Sequence, residues 1–455
     1  MITAPRMAPP DPQSSARTGP DAPRLVRAIG RWDFTALVVN GVIGSGIFGL
    51  PAVIAGLTGA WSPLAYVLAG LGMLAIVLCH AEVASRFTEA GGPYLYAREA
   101  FGSFVGVQAG WLTFCIRVTS MGANLNVFTA YLGQVVPAAG AGAGRMLTLA
   151  AVTVIVTAIN LVGVRTGART VDLFVIAKVL PLAALIVIGL PRVSAATLAT
   201  QPVADPEWTQ AILLLVFAYG GFEAALIPAG EVKDPRRDSS FALLAGMGIV
   251  AAVYMLVQIV VVGVVPGAAR EAAPVAAAFG VLLGPAGIWL GSLAAMISTY
   301  AWTLGSTLNS PRTLYAMGER GELPAALARV HPRFRTPHLA ILVYAAAGLG
   351  FAAGGSFAGN AELAAIVRLV TYGLVAASLL VFRRRGEAAP GFSLPGAKVV
   401  APAALAFCAW LLSTRTFTQA WILLAMMAVG VALWLVSARG ARRGGGLTSG
   451  VSRAQ

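Results

Sequence analysis

The sequence predicts an all-α integral membrane protein of about twelve transmembrane helices, and three observations carry that prediction. Hydrophobic residues make up 58% of the 455-residue chain and charged residues 11%, against roughly 25% charged in an average soluble domain. A soluble chain of this length needs far more polar surface to stay in water. Apolar runs long enough to cross about 30 Å of hydrocarbon recur along almost the whole length. Basic residues, finally, gather in alternate connections between those runs.

In order, the runs predict spans near 34–57, 62–85, 103–132, 146–164, 171–190, 208–230, 239–265, 285–313, 338–354, 362–382, 398–414 and 417–437. Residues 1–32, rich in Pro, Arg and Ser, read as a disordered tail. They lack the apolar core and small-residue cleavage site of a secretory signal, so the first span is expected to stay in the protein. One set of connections holds Arg6, Arg17, Arg24, Arg27, Arg31, Arg86, Arg98, Arg165, Arg169, Lys233, Arg236 and Arg237. The same set continues with Arg312, Arg320, Arg329, Arg333, Arg335, Arg383, Arg384, Arg385 and Lys398, then Arg439, Arg442, Arg443 and Arg453 in the tail 439–455. The opposite connections hold Arg145, Arg192, Arg270 and Arg415. The positive-inside rule therefore places both termini in the cytoplasm. The net charge of +14 is thus a topology signal, and a nucleic-acid surface is not expected. Arginine far outnumbers Lys178, Lys233 and Lys398, and Ala and Gly abound. That bias points to a GC-rich bacterial genome and hence the inner (plasma) membrane. Cys79, Cys115 and Cys408 sit in apolar runs without paired spacing and read as packed thiols.

The informative features are interruptions. Val38 to Pro51 reads Val-Val-Asn-Gly-Val-Ile-Gly-Ser-Gly-Ile-Phe-Gly-Leu-Pro. Its five glycines and proline strip away helix propensity in mid-membrane. A helix break there survives only where it is buried in protein or lines a wet cavity. Close helix packing through Gly-xxx-Gly spacing is the alternative. The sixth span repeats the theme in Phe-Ala-Tyr-Gly-Gly-Phe-Glu, Phe217 to Glu223, followed by Pro228. Interrupted spans in corresponding positions of two halves point to a transporter site. Half-helix amino ends offer free N–H groups to a carboxylate, and half-helix carboxyl ends offer carbonyls to an ammonium. A ligand carrying both charges fits this pair of breaks better than a simple ion or a sugar.

These residues resemble the amino acid–polyamine–organocation (APC) permeases. Gly44-Ser45-Gly46-Ile47-Phe48 matches the glycine-rich signature of their first span. Ala84 to Phe87 and Glu89 to Tyr94 resemble the segment after their second. Phe217 to Glu223 with Gly230 to Arg236 resembles the sixth span and its exit, and Asn309 to Pro324 the loop after the eighth. These motifs run from about 33 to 345. The resemblance implies a LeuT-type fold, with discontinuous helices 1 and 6 and a 5+5 inverted repeat. Its core would span 33–383, as repeats 33–190 and 207–383, with two additional helices over 384–438. It implies secondary active transport of an amino acid by alternating access, proton-coupled and sodium-independent, or antiport of an amine or polyamine. By the same likeness, N–H groups around Gly44, Ser45, Gly46 and Ile47 would hold the substrate carboxylate. Carbonyls near Val42, Ile43, Phe217 and Gly220 would take its amino group. Trp302 resembles the aromatic beside the substrate side chain in some members, and Tyr219 is a gating candidate.

Charges inside spans each need a reason. Lys178 resembles the fifth-span lysine whose ammonium replaces sodium in sodium-independent members, making it a candidate proton carrier. Snorkelling to the cytoplasmic end is its other reading. Glu223 aligns with an acid of related antiporters and would titrate, pair with a cation or bond the unwound backbone. Thr113, Arg117, Ser120 and Asn124 form one polar stripe on the third span, which must face the bundle interior. Arg117 departs from better-known members; it would read a second carboxylate on the substrate or neutralise Glu223. Arg368 is expected to partner an interior acceptor, and Glu82 to pair with Arg86 one turn away.

Other classes fare worse. His80, His331 and His338 form no metal-ligand spacing with the cysteines, so neither metal nor cofactor is expected. Ser45 has no base in sequence, and Gly44 to Gly49 lacks the lysine of a phosphate loop. A channel would want charge rings or a repeated carbonyl filter. A non-transporting sensor would be expected to carry an output domain.

Overall fold

The computed structural model describes residues 27–448 apart from Ala90, residues 164–167, Pro202 and residues 387–389. Arg6, Arg17, Arg24, Arg165 and Arg453 lie outside the described residues, as do the side chains of Arg169, Arg439, Arg442 and Arg443. Among the described residues the chain is helical, with one isolated parallel bridge between Ile29 and Val232.

The first helices are α1 (Arg31–Val42), α2 (Ser45–Thr58), α3 (Ser62–Ala84), α4 (Gly92–Phe101), α5 (Ser103–Val135) and α6 (Pro137–Gly140). Next come α7 (Gly142–Val162), α8 (Ala168–Gly189), α9 (Ala195–Leu198), α10 (Trp208–Tyr219), α11 (Phe222–Ala225) and α12 (Pro235–Val264). The last are α13 (Pro274–Leu283), α14 (Pro285–Glu319), α15 (His338–Gly354), α16 (Phe357–Arg384), α17 (Ala397–Ser413) and α18 (Phe417–Thr448). Among the described residues, six stretches are long and apolar enough to cross a membrane: Ser45–Ala84, Gly142–Val162, Trp208–Ala225, Pro235–Val264, Phe357–Arg384 and Phe417–Ser437. Pro274–Leu283, His338–Gly354 and Ala397–Ser413 are shorter apolar helices. The longest helices, α5 and α14, with 33 and 35 residues, pack against each other and carry more polar residues. Only 6% of the α18 apolar stretch is buried within the protein, which leaves most of that stretch exposed. It is fastened to α5 by Trp111, whose Nε1 donates to the Met426 carbonyl at 2.7 Å.

Two helices lie where the sequence was read as connections. Both α4 and α13 carry proline in the first turn, where its missing N–H costs nothing. Each ends on a glycine with positive φ, Gly102 at 92° and Gly284 at 68°. Ten residues each, they are too short to register as spans. The expected tail of residues 1–32 is also ordered at its end. Ile29 exchanges backbone hydrogen bonds with the 231–233 segment, and α1 begins at Arg31. Arg31 Nε donates to Asp238 Oδ1 at 2.8 Å and lies over the Phe241 ring, holding α1 to α12.

Backbone groups released inside a membrane must find other partners, and side chains supply them here. The Val42 carbonyl accepts from the Tyr254 hydroxyl at 3.1 Å, and the Pro51 carbonyl from Gln258 Nε2 at 3.2 Å. Tyr131 donates to the Phe48 carbonyl at 2.7 Å and accepts from the Val275 N–H at 3.2 Å, tying α2, α5 and α13 together. Replacing Tyr131 with Phe removes both bonds and strands the Val275 N–H, a first-turn donor of α13, in a buried site. It is expected to cost about 1–3 kcal/mol, read as a lowered thermal midpoint in detergent. An unchanged midpoint would show that relaxation or water re-satisfies that donor.

Candidate functional site

The two interruptions meet face to face. Helix α1 stops at Val42, and the chain turns through Ile43 and Gly44 in non-helical conformations before α2 starts at Ser45. Helix α10 stops at Tyr219, and Gly221 adopts φ 118° before α11 starts. Left-handed backbone of this kind favours glycine. A Cβ on Gly221 would also stand 2.3 Å from the Gly41 carbonyl oxygen, and one on Gly41 would stand 3.1 Å from that of Gly221. Break and close packing, weighed as alternatives from the sequence, therefore coexist.

Two cavities adjoin the breaks. The larger, about 460 Å³, runs from Asn40, Gly41, Lys178 and Arg117 past Trp302 and Asn309 out to exposed Ile227 and Glu231. That volume lies within the range of small-molecule sites. The smaller, about 10 Å³, is lined by Val42, Gly44, Ser45, Gly46, Phe217, Gly220, Ser120, Asn124, Arg368 and Trp302. It has room for about one water. Trp302 lines both, its Cδ1 3.2 Å from where a Gly44 Cβ would sit.

Most residues expected to bind substrate thus converge on the smaller cavity, though Ile43 and Ile47 are buried beside it without lining it. Several of their backbone groups already have partners. The Ser45 N–H donates to Asn124 Oδ1 at 3.1 Å, and the Ile43 carbonyl accepts from Lys178 Nζ at 3.2 Å. Arg368 lines this cavity with its Nε 2.5 Å from the position of a Gly220 Cβ and its guanidinium over the Phe217 ring. The Ser45 hydroxyl is buried without a partner. Tyr219 lines neither cavity; its hydroxyl donates to the Tyr66 carbonyl at 3.0 Å and its ring stacks on Tyr254. That is a packed position in this conformation.

The buried charges fall into two groups. Lys178 does not snorkel: its Nζ donates to Asn40 Oδ1 at 2.8 Å as well as to Ile43 at the first break. Glu223, at the second break, accepts from the Gly221 N–H at 2.8 Å and the Tyr372 hydroxyl at 3.0 Å. Arg368 Nε reaches its Oε1 at 3.4 Å, and Arg117 Nη2 stands 3.6 Å from the same oxygen. So Glu223 bonds the unwound backbone and faces two cations together. The stripe on α5 faces inward, with Thr113 and Arg117 on the larger cavity and Ser120 and Asn124 on the smaller. Away from the cavities, Glu82 pairs with Arg86 at 2.7 Å and also receives Arg383 Nε at 2.9 Å. Cys79, Cys115 and Cys408 are buried free thiols.

Asn40, Asn124 and Tyr372 acquire bonds to site groups that no sequence signal assigned them. Asn40 stands one helical turn before Gly44, which is a signal of sorts. The pairing of Arg368 with Glu223 spans 145 residues of chain, and local spacing carries no trace of it.

Interrupted helices of this kind occur in many transporters; the length of the sequence match decides between them. The amino acid permease family model matches residues 29–440. The chain belongs to that family. The match extends past the motifs that carried the resemblance and takes in the last two predicted spans. Among its relatives is the serine/threonine exchanger SteT of Bacillus subtilis (strain 168), 30% identical over 328 residues, which are 70% of this chain and 74% of the relative. The methylthioribose transporter of the same organism is 27% identical over 413 residues, covering 85% and 88%. Its branched-chain amino acid permease BcaP is 25% identical over 440 residues, covering 91% and 94%. The protein is a multi-pass membrane permease, a transporter rather than an enzyme.

Proposed function

We propose that this permease is a secondary active transporter that moves an amino acid across the bacterial inner membrane by alternating access, coupled to protons and independent of sodium. The reading takes the chain as twelve spans of LeuT type. Helices α1 and α2 together form the first span and α10 with α11 the sixth. The repeats cover 33–190 and 207–383, followed by two further spans over 384–438. Both termini are cytoplasmic, which puts the mouth of the larger cavity, at Ile227 and Glu231, on the cytoplasmic side.

The observation that carries this reading is the Lys178 ammonium on the Ile43 carbonyl, beside the point where the two broken helices touch. A cation bound there stabilises carbonyls that the break exposes. A lysine can give up its proton, so its charge state can change with the transport cycle. In this reading the amino end of α2 receives the substrate carboxylate once Asn124 releases Ser45. The carbonyls of Val42, Phe217 and Gly220 face the ammonium, and Trp302 moves to open the smaller cavity to the larger.

Uptake of a labelled amino-acid panel into proteoliposomes, with and without an inward proton gradient, tests the proposal. Gradient-driven accumulation is expected in sodium-free buffer. Lys178→Ala should reduce it to the level of passive exchange, a loss of tenfold or more. Normal gradient-driven accumulation by that variant would remove Lys178 from coupling. Uptake requiring preloaded liposomes would favour exchange, the activity in the name of SteT.

A further inference from the structure

Among the described residues lining the two cavities or bonded to their walls, the buried acidic and basic side chains are Arg117, Arg368, Lys178 and Glu223, beside the neutral hydroxyls of Tyr254, Tyr344 and Tyr372. Glu231 is exposed at the mouth. Arginine keeps its charge in any protein site. Even with Lys178 neutral, the two arginines exceed Glu223 by one positive charge at membrane depth, which is costly unless something balances it. A zwitterionic amino acid with a neutral side chain adds no net charge and leaves the excess in place.

Hydrogen bonding reports the same deficit independently. Arg117 is 7% exposed and Arg368 2%, yet Arg117 Nη2 and Arg368 Nη1 have no hydrogen-bond partner among the described residues. The bonds Arg368 does make through Nε and Nη2, to Glu223 and Ser120, are 3.4 Å long. Charge-assisted pairs of guanidinium and carboxylate normally close to about 2.7–2.9 Å. Both guanidinium groups reach Glu223 Oε1, Arg117 from the lining of the larger cavity and Arg368 from that of the smaller, with Trp302 lining both. Movement of that one side chain would bring both onto one ligand.

We propose that the permease carries an anionic amino acid, one with a carboxylate side chain, received by Arg117 and Arg368. The α-carboxylate faces the amino end of α2 at Ser45 and Gly46. The side-chain carboxylate takes the spare guanidinium N–H groups and supplies the missing negative charge. This deepens the transporter reading and rests on it.

The test is wild-type protein in proteoliposomes with labelled glutamate, aspartate, glutamine, serine and leucine, alongside thermal-shift titration in detergent with the same compounds. Glutamate or aspartate should be transported and should raise the unfolding temperature, with glutamine, its amide isostere, at least tenfold weaker in both assays. Arg117→Gln and Arg368→Gln should each lower acidic uptake at least tenfold and move the glutamate-to-glutamine preference toward the amide. The wild-type comparison decides the matter even where a variant fails to fold. Uptake of neutral amino acids that glutamate and aspartate neither join nor inhibit would overturn this inference and leave the transporter reading standing. Movement of no amino acid would overturn both.

Discussion

Replacing Gly221 by alanine is expected to abolish transport and to leave little folded protein to extract. Two costs add at this one position. The backbone at φ 118° lies outside the range that L residues adopt comfortably, at a cost of about 1–2 kcal/mol. The new methyl would also stand 2.3 Å from the Gly41 carbonyl oxygen. That neighbour is backbone in α1, so no side-chain rotation relieves the contact, and the two broken helices must separate. Overpacking of a tight site typically costs a further 1–3 kcal/mol, against a total stability of about 5–15 kcal/mol. Gly350→Ala is the control. Gly350 lies in α15 with open space where a Cβ would go, and alanine there should be neutral or stabilising by up to about 1 kcal/mol. Yield, thermal midpoint and uptake for the pair separate a general intolerance of substitution from the specific contact. A Gly221→Ala protein as stable and active as Gly350→Ala would show that the helix contact at Gly221 is dispensable.

The second large effect is expected at Glu223. Its carboxylate faces Arg368 and Arg117 and accepts from the Gly221 N–H. Glu223→Gln keeps an oxygen for the backbone but leaves both guanidinium groups without a counter-charge. Removing one partner of a buried ion pair typically costs about 3–5 kcal/mol. Arg368→Gln should cost less stability, because Arg117 remains 3.6 Å from the acid. The double variant should be more stable than Glu223→Gln alone, and the four thermal midpoints form a cycle that isolates the coupling. A stable Glu223→Gln protein that transports normally but loses its pH dependence would overturn the structural reading and make Glu223 the coupled proton site.

Much of this was legible in the chain because bilayer physics writes itself into composition. Span lengths, the unequal division of arginines and the two glycine clusters are all local properties. So is the inward-facing stripe Thr113, Arg117, Ser120, Asn124, since helical periodicity alone requires it. The short helices α4 and α13 escaped because ten residues do not make a span. Their markers, proline at the start and a positive-φ glycine at the end, are common to many loops.

Taken alone, the sequence determined the membrane class, the family and the two positions where helices break. The membrane class and the breaks follow from the residues' own conformational and solvation preferences, the family from the resemblance of its motifs. The tertiary structure decided what those breaks touch. It put Lys178 on Ile43, Asn124 on the Ser45 N–H, Arg368 in the smaller cavity and Tyr219 in the packed interior. Such pairings join residues 79 to 153 positions apart. They depend on which helix faces lie against one another, and that is settled by packing the whole bundle at once.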